Sequence, residues 1–124
     1  MLVLRLTRHP LEEGQEAALR QAAAYLTGCP PEAVSIVQVN ETVQDAQQVL
    51  ALVEGTGAQV LEAVLPLGLL AQVVGPLRER GVPVIRAVMA REVTPSGEAT
   101  FTFLGYEVIE RIEVVAHPIT GQGP

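Results

Sequence analysis

Thr7-Arg8-His9 puts a hydroxyl, a fixed cation and an imidazole in three consecutive positions, after the apolar run of residues 1–6 and before Pro10-Leu11. In an open α/β sheet the ligand crevice lies at the carboxyl ends of the strands. The triplet is therefore a candidate site for an anion: the guanidinium fork suits a phosphate, and the imidazole can donate a hydrogen bond or move a proton. His9 has three open uses: general acid or base, ligand contact without proton transfer, or N-cap of a helix that Pro10 begins. Local spacing fixes no second titratable partner for it. For Arg8, the simpler alternative is an ion pair with a surface acid such as Glu12.

The triplet needs a strand and a helix to hold it, and the chain supplies three such units. Residues 1–7 read as a strand. Pro10 falls where a first-turn proline belongs, with Glu12 and Glu13 behind it, and Leu11, Ala18, Leu19, Ala22, Ala23 and Leu26 share one helical face up to Gly28. Residues 34–39 form a second strand. Thr42-Val43-Gln44-Asp45 resembles a capping box opening a helix with Ala46, Val49, Leu50 and Val53 inward. Residues 59–65 form a third strand, and Pro66-Leu67-Gly68 turns into a third helix, which Gly75-Pro76 should kink. After Gly81 the pattern changes: a strand over 82–91, a turn at Thr94-Pro95-Ser96-Gly97, an alternating strand over 99–104, and one more strand over 107–115. The expected fold is one α/β domain, residues 1–116, with a mostly parallel sheet, three helices and a C-terminal β-hairpin. Residues 117–124, with His117, read as a flexible tail.

Right-handed crossovers bring the strand-to-helix loops to one end of the sheet. This adds Asn40, Thr42, Pro66, Leu67 and Gly68 to the triplet, together with Arg91 near the end of the fourth strand. Arg91, like Arg8, has a simpler use: pairing with an acid such as Glu92.

Composition narrows the functions. The chain has 124 residues, 48% hydrophobic and 3% aromatic, enough for one Val/Leu/Ala/Ile core. A net charge of −6 argues against a duplex-binding protein but leaves room for one compact anion. All eight basic residues are Arg; a GC-rich or thermophilic genome is the simpler explanation of the bias, and either way any phosphate here meets guanidinium groups. The single cysteine, Cys29, cannot form an internal disulfide, which points to the cytoplasm. Arg5 and Arg8 interrupt any apolar leader, and the apolar run of residues 60–74 is broken by Glu62, Pro66, Gly68 and Gln72, so no membrane span is expected. Two histidines and one cysteine, far apart, match no metal-ligand spacing, and no dinucleotide or phosphate-loop fingerprint is present. No cofactor is expected.

The run Arg8-His9-Pro10-Leu11-Glu12-Glu13-Gly14-Gln15 resembles the Ser-His-Pro-Leu-Thr-x-x-Gln opening of small CRISPR-associated proteins that stand alone as single Rossmann-like domains. Residues 81–93, Gly-Val-Pro-Val-Ile-Arg-Ala-Val-Met-Ala-Arg-Glu-Val, resemble the strand, Arg and hairpin that end related members. These are relatives of CARF domains, which bind cyclic oligoadenylate signals of type III CRISPR systems; some are ring nucleases and others only sequester the ring. The resemblance implies a homodimer or higher homo-oligomer that binds cyclic oligoadenylate. Arg8 and Arg91 would hold phosphates, Thr7 and His9 the ribose or base edge, and the Pro66-Leu67-Gly68 loop a further phosphate. Arg8 replaces the serine of the pattern and Glu12 the threonine, so binding is implied more directly than metal-independent ring opening. Two rivals stand beside this reading: a sensor of another small phosphorylated ligand, and an interaction module that uses the hairpin edge.

Overall fold

The computed structural model describes residues 1–113 and 115–119. Five strands form one sheet: β1 (Leu2–Leu6), β2 (Ser35–Val39), β3 (Val60–Ala63), β4 (Val84–Val93) and β5 (Ala99–Ile109), in the order β2-β1-β3-β4-β5. The first four are parallel and β5 runs antiparallel to β4. Helices α1 (Glu13–Thr27), α2 (Ala46–Thr56) and α3 (Leu67–Glu79) connect them. This is the expected α/β fold with a mostly parallel sheet, three helices and a terminal hairpin.

The two faces of the sheet are covered unequally. Helices α2 and α3 pack Val49, Val53, Leu70, Val73, Val74 and Leu77 against Leu4, Leu6, Leu61, Ala63 and Val84. On the other face α1 alone brings Leu19 and Ala23 onto Val3, Val60 and Ile85. Because β1 and β3 are covered on both sides, they read as nearly continuous apolar runs rather than alternating ones.

Several boundaries move. Helix α1 starts at Glu13, with Glu12 as an N-cap that makes no side-chain cap bond. Pro10 is therefore not a first-turn proline and His9 is not the cap; residues 7–12 form a longer loop. Thr42 does not open α2 either. Asp45 is the cap, its carboxylate accepting from the Gln48 N–H at 2.9 Å, while the Gln48 side chain accepts from the Gln44 N–H at 2.5 Å. The cap thus lies three residues downstream of the expected start, with the Gln48 side chain reaching one residue further back than in a capping box. Helix α3 continues unbroken through Pro76 to Glu79.

The two strands expected over 99–104 and 107–115 are one, β5, which crosses Gly105 by a bulge. Val88 pairs with Gly105 and Met89 with Phe103, leaving Leu104 as the extra residue. Gly105 adopts φ 149, a conformation that suits glycine and lets the ladder resume beyond the bulge. The strand ends at Ile109; position 114, within the expected last strand, lies outside the described residues, as do positions 120–124 of the expected tail. His117 is exposed. Among the described residues no helix is long and apolar enough to cross a membrane.

The cap at Asp45 gives a direct check on the α2 boundary. Asp45→Ala is expected to cost about 1 kcal/mol in urea denaturation, and Asp45→Asn only a few tenths. Equal, negligible effects would place the helix start elsewhere.

Candidate functional site

The one charged residue of β1, Arg5, decides how the loop beyond the strand is held. Arg5 sits in the middle of an apolar strand and is only 2% exposed; Glu62, in the middle of β3, is 1% exposed. Strand register sets Gln38, Arg5 and Glu62 side by side in one row across β2, β1 and β3. Arg5 Nε donates to Glu62 Oε1 at 3.1 Å and its Nη1 to Gln38 Oε1 at 3.0 Å, and the same nitrogen donates to the His9 carbonyl. Gln38 Nε2 reaches the carbonyls of Thr7 and His9, each at 2.9 Å, and Asn40 Oδ1 at 3.1 Å. On the other side the Tyr106 hydroxyl donates to Glu62 Oε1 at 3.1 Å and accepts from Gln15 Nε2 at 3.0 Å. Among the described residues no buried side-chain nitrogen or oxygen lacks a partner.

The chemistry of this row is governed by burial. Burial raises the Glu62 carboxyl above its ordinary value, outweighing the opposing pull of the Arg5 guanidinium and the hydrogen bonds from Tyr106 and Arg5. The Tyr106 phenol is pushed up to about 12, first by burial and then by the adjacent Glu62 charge. Tyr106 therefore stays a hydrogen-bond donor at neutral pH.

Above this row the loops after β1, β2 and β3 enclose an open cavity of about 330 Å³, lined by Thr7, Arg8, His9, Thr42, Leu65 and Pro66 among others. The chain leaves β1 toward β2 on one side and reaches β3 on the other, so the cavity lies where the strand order reverses. Arg8 makes no ion pair among the described residues; its Nη2 donates to Thr42 Oγ1, which holds the guanidinium at the cavity wall. The Thr7 hydroxyl is buried and accepts from the His9 N–H at 3.2 Å, a local turn that shapes the loop. His9 is exposed, and its carbonyl, held by Arg5 and Gln38, fixes where the imidazole begins. Glu41 also lines the cavity, a carboxylate suited to accept from a ribose hydroxyl or a base amino group.

The remaining expected residues fall at differing distances. Leu67 and Gly68 form the exposed first turn of α3, directly after Pro66, and no side chain caps that turn. Asn40 belongs to the polar row under the cavity through Gln38. Arg91 does not join the others. Ile85 is level with Glu62, so Arg91, six residues on, stands roughly 20 Å further along the strand direction, on the hairpin. Like Arg8, Arg91 forms no ion pair among the described residues, so neither takes the expected alternative partner, Glu12 or Glu92. Among the described residues no three His, Cys, Asp or Glu side chains gather as metal ligands.

Sequence reading missed Arg5, Glu62, Gln38, Gln15 and Tyr106. A signal was present: a lone Arg in one apolar strand and a lone Glu in another are opposite charges that burial obliges to meet.

Comparison with protein-family models, curated proteins and solved structures found no match.

Two outcomes follow from the buried row. Glu62→Leu alone strands the guanidinium and should cost about 3–5 kcal/mol in denaturant unfolding, while the double variant Arg5→Met/Glu62→Leu should recover most of that loss. No recovery in the double variant would show that the pair contributes net stability.

Both shifted groups hold their protons more tightly in the folded chain than in the unfolded one. Their linkage therefore favours the fold at low pH and withdraws stability as pH rises. For Glu62 the loss begins above 4.5, and for Tyr106 it runs from 10.0 to about 12. In a Tyr25→Phe variant, which leaves Tyr106 as the lone phenol, phenolate absorbance should titrate at about 12; a midpoint near 10.0 in the folded protein would contradict the buried hydrogen-bonded phenol.

Proposed function

We propose that the chain binds a cyclic oligoadenylate of type III CRISPR antiviral signalling in the crevice formed by the loops after β1, β2 and β3, acting in the cytoplasm as a homo-oligomer. The observation that carries the reading is the position of the cavity: it opens at the point where strand order reverses, and its wall holds Arg8, which makes no ion pair among the described residues. A chain of net charge −6 that keeps a guanidinium unpaired at a concave site has a local preference for an anion.

The roles divide by position. Arg8 faces a phosphate, and the uncapped first turn of α3 at Leu67 and Gly68 offers backbone N–H groups to the same ligand. His9 and Glu41 meet ribose hydroxyls or base edges, and Thr7 holds the loop. Arg91 has no place in this crevice, in contrast to the role the family resemblance implies. A cavity of about 330 Å³ suits about one nucleotide unit, so a ring would have to be shared between copies. Ring opening, where it occurs, uses the ligand's own 2′-hydroxyl: its oxygen attacks the adjacent phosphorus as His9 accepts its proton, the bond from phosphorus to the 5′-oxygen breaks with Arg8 stabilising the developing charge, and the 5′-oxygen leaves with a proton from solvent, giving a 2′,3′-cyclic phosphate and a 5′-hydroxyl.

The test is binding of cyclic tetra- and hexa-adenylate by thermal shift and mobility shift, with AMP as control and the incubated ligand recovered for chromatography. Arg8→Ala should weaken binding roughly tenfold or more, as expected for loss of a charged hydrogen bond, whereas Arg91→Ala should leave it unchanged. Intact ligand indicates sequestration; linear product indicates a ring nuclease. Binding to neither ring, in a protein that melts cooperatively, overturns the reading. Equal affinity for AMP moves it to a sensor of another small phosphorylated ligand.

A further inference from the structure

The β4–β5 hairpin extends well past the sheet that anchors it. Strand β3 pairs with β4 only at Val84 and Ile85, so from Arg86 to Val93 the strand has β5 as its one neighbour. These eight residues form a two-stranded ribbon roughly 26 Å long. Its faces differ in character. Met89 lies opposite Phe103, Arg91 opposite Phe101 and Val93 opposite Ala99, all on one side; Ala90 opposite Thr102 and Glu92 opposite Thr100 occupy the other. On the apolar side Met89 is 48% exposed, Val93 61% and Phe101 64%. Phe103 packs edge-on against Tyr106 at the base of the ribbon, with ring centroids 5.3 Å apart, and beyond it no helix among the described residues covers the face. A ribbon patterned apolar on one side and polar on the other is only marginally stable without a covering layer.

Among the described residues no strand pairs with its outer edge either. Residues 99–106 of β5 contain no charge and no proline, the usual means of blocking strand addition; the bulge at Leu104 is the one interruption. Charge favours a copy of the same chain as the occupant. Residues 84–105 carry two Arg and two Glu, so the ribbon is neutral in a chain whose net charge is −6. Two copies repel one another through most of their surface, and the ribbon is the region where they approach without that opposition.

We propose that the β4–β5 ribbon is the surface through which two copies of this chain associate, their β5 edges pairing antiparallel about a two-fold axis over residues 99–103. The resulting four-stranded ribbon joins the apolar faces of both copies into one, and each copy presents the same edge, as a two-fold contact requires. Edge pairing with its flanking side chains buries on the order of 1,000 Å² in total, the lower end for a specific interface. The association is therefore weak, and it strengthens with salt because salt screens the repulsion between acidic chains. This inference stands apart from the proposed ligand, since no residue of the crevice enters it.

Sedimentation equilibrium across protein and salt concentrations tests it. The wild-type chain should show a monomer–dimer equilibrium that tightens with salt, and Phe101→Glu, at an exposed position on the paired strand, should weaken it at least tenfold without lowering the melting temperature of the monomer. A two-fold antiparallel pair sets one residue opposite its own copy at roughly 4.5–5.5 Å between Cα atoms, within disulfide reach. Single cysteines placed in turn at positions 99–103 in a Cys29→Ser background should therefore give a reducible covalent dimer at one of them. A wild-type chain that stays monomeric throughout, a dimer that survives Phe101→Glu, or a dimer that no cysteine traps would each overturn the proposal.

Discussion

The structure depends on one buried ion pair. Arg5 and Glu62 lie at the centre of the two innermost strands, where removing either charge from water costs several kcal/mol. What offsets that cost is the set of hydrogen bonds that the pair makes to each other and to Gln38, Tyr106 and the His9 carbonyl. The donors and acceptors come from β1, β2, β3, β5 and the loop after β1, and Gln15 of α1 completes the set through Tyr106. A one-residue slip of β1 would turn Arg5 onto the apolar face packed by α2 and α3 and leave Glu62 alone. The pair thus specifies register as well as linking the strands.

The same row builds the floor of the crevice. With its carbonyl held by both Arg5 and Gln38, the His9 segment has little freedom to vary, and Arg8 and His9 project from a fixed backbone. Reversal of the strand order parts the loops above this floor, and Thr42 anchors the guanidinium on the far wall. The site is therefore rigid below and open above, an arrangement that favours recognition of a ligand's shape and charge over closure around it.

The hairpin reflects how the chain ends its sheet. Each of the first three strands is followed by a helix that returns across a face, but β4 turns back directly as β5. No crossover helix remains to cover the α1 side of these last two strands, and α1 itself lies over β1, β3 and the base of β5. The apolar positions Met89, Val93 and Phe101 are consequently exposed by topology, while the bulge at Leu104 keeps Tyr106 directed at Glu62 below them.

Local pattern was enough to determine the order of elements, the helical faces of α1, α2 and α3, the turn at Thr94-Pro95-Ser96-Gly97 and the gathering of Thr7, Arg8, His9, Thr42 and Pro66 at one end of the sheet, because period, capping residues and crossover handedness act over a few residues at a time. It could not separate alternatives of similar local strength: Asp45 and Thr42 are both acceptable caps, and Gly105 serves a strand break or a bulge equally well. Only tertiary structure decided that Arg5 and Glu62 face each other, that Arg91 stands away from Arg8, and that the hairpin runs past the sheet. Each of these depends on the register between strands distant in sequence, and register is a property of the assembled sheet, which no single segment encodes.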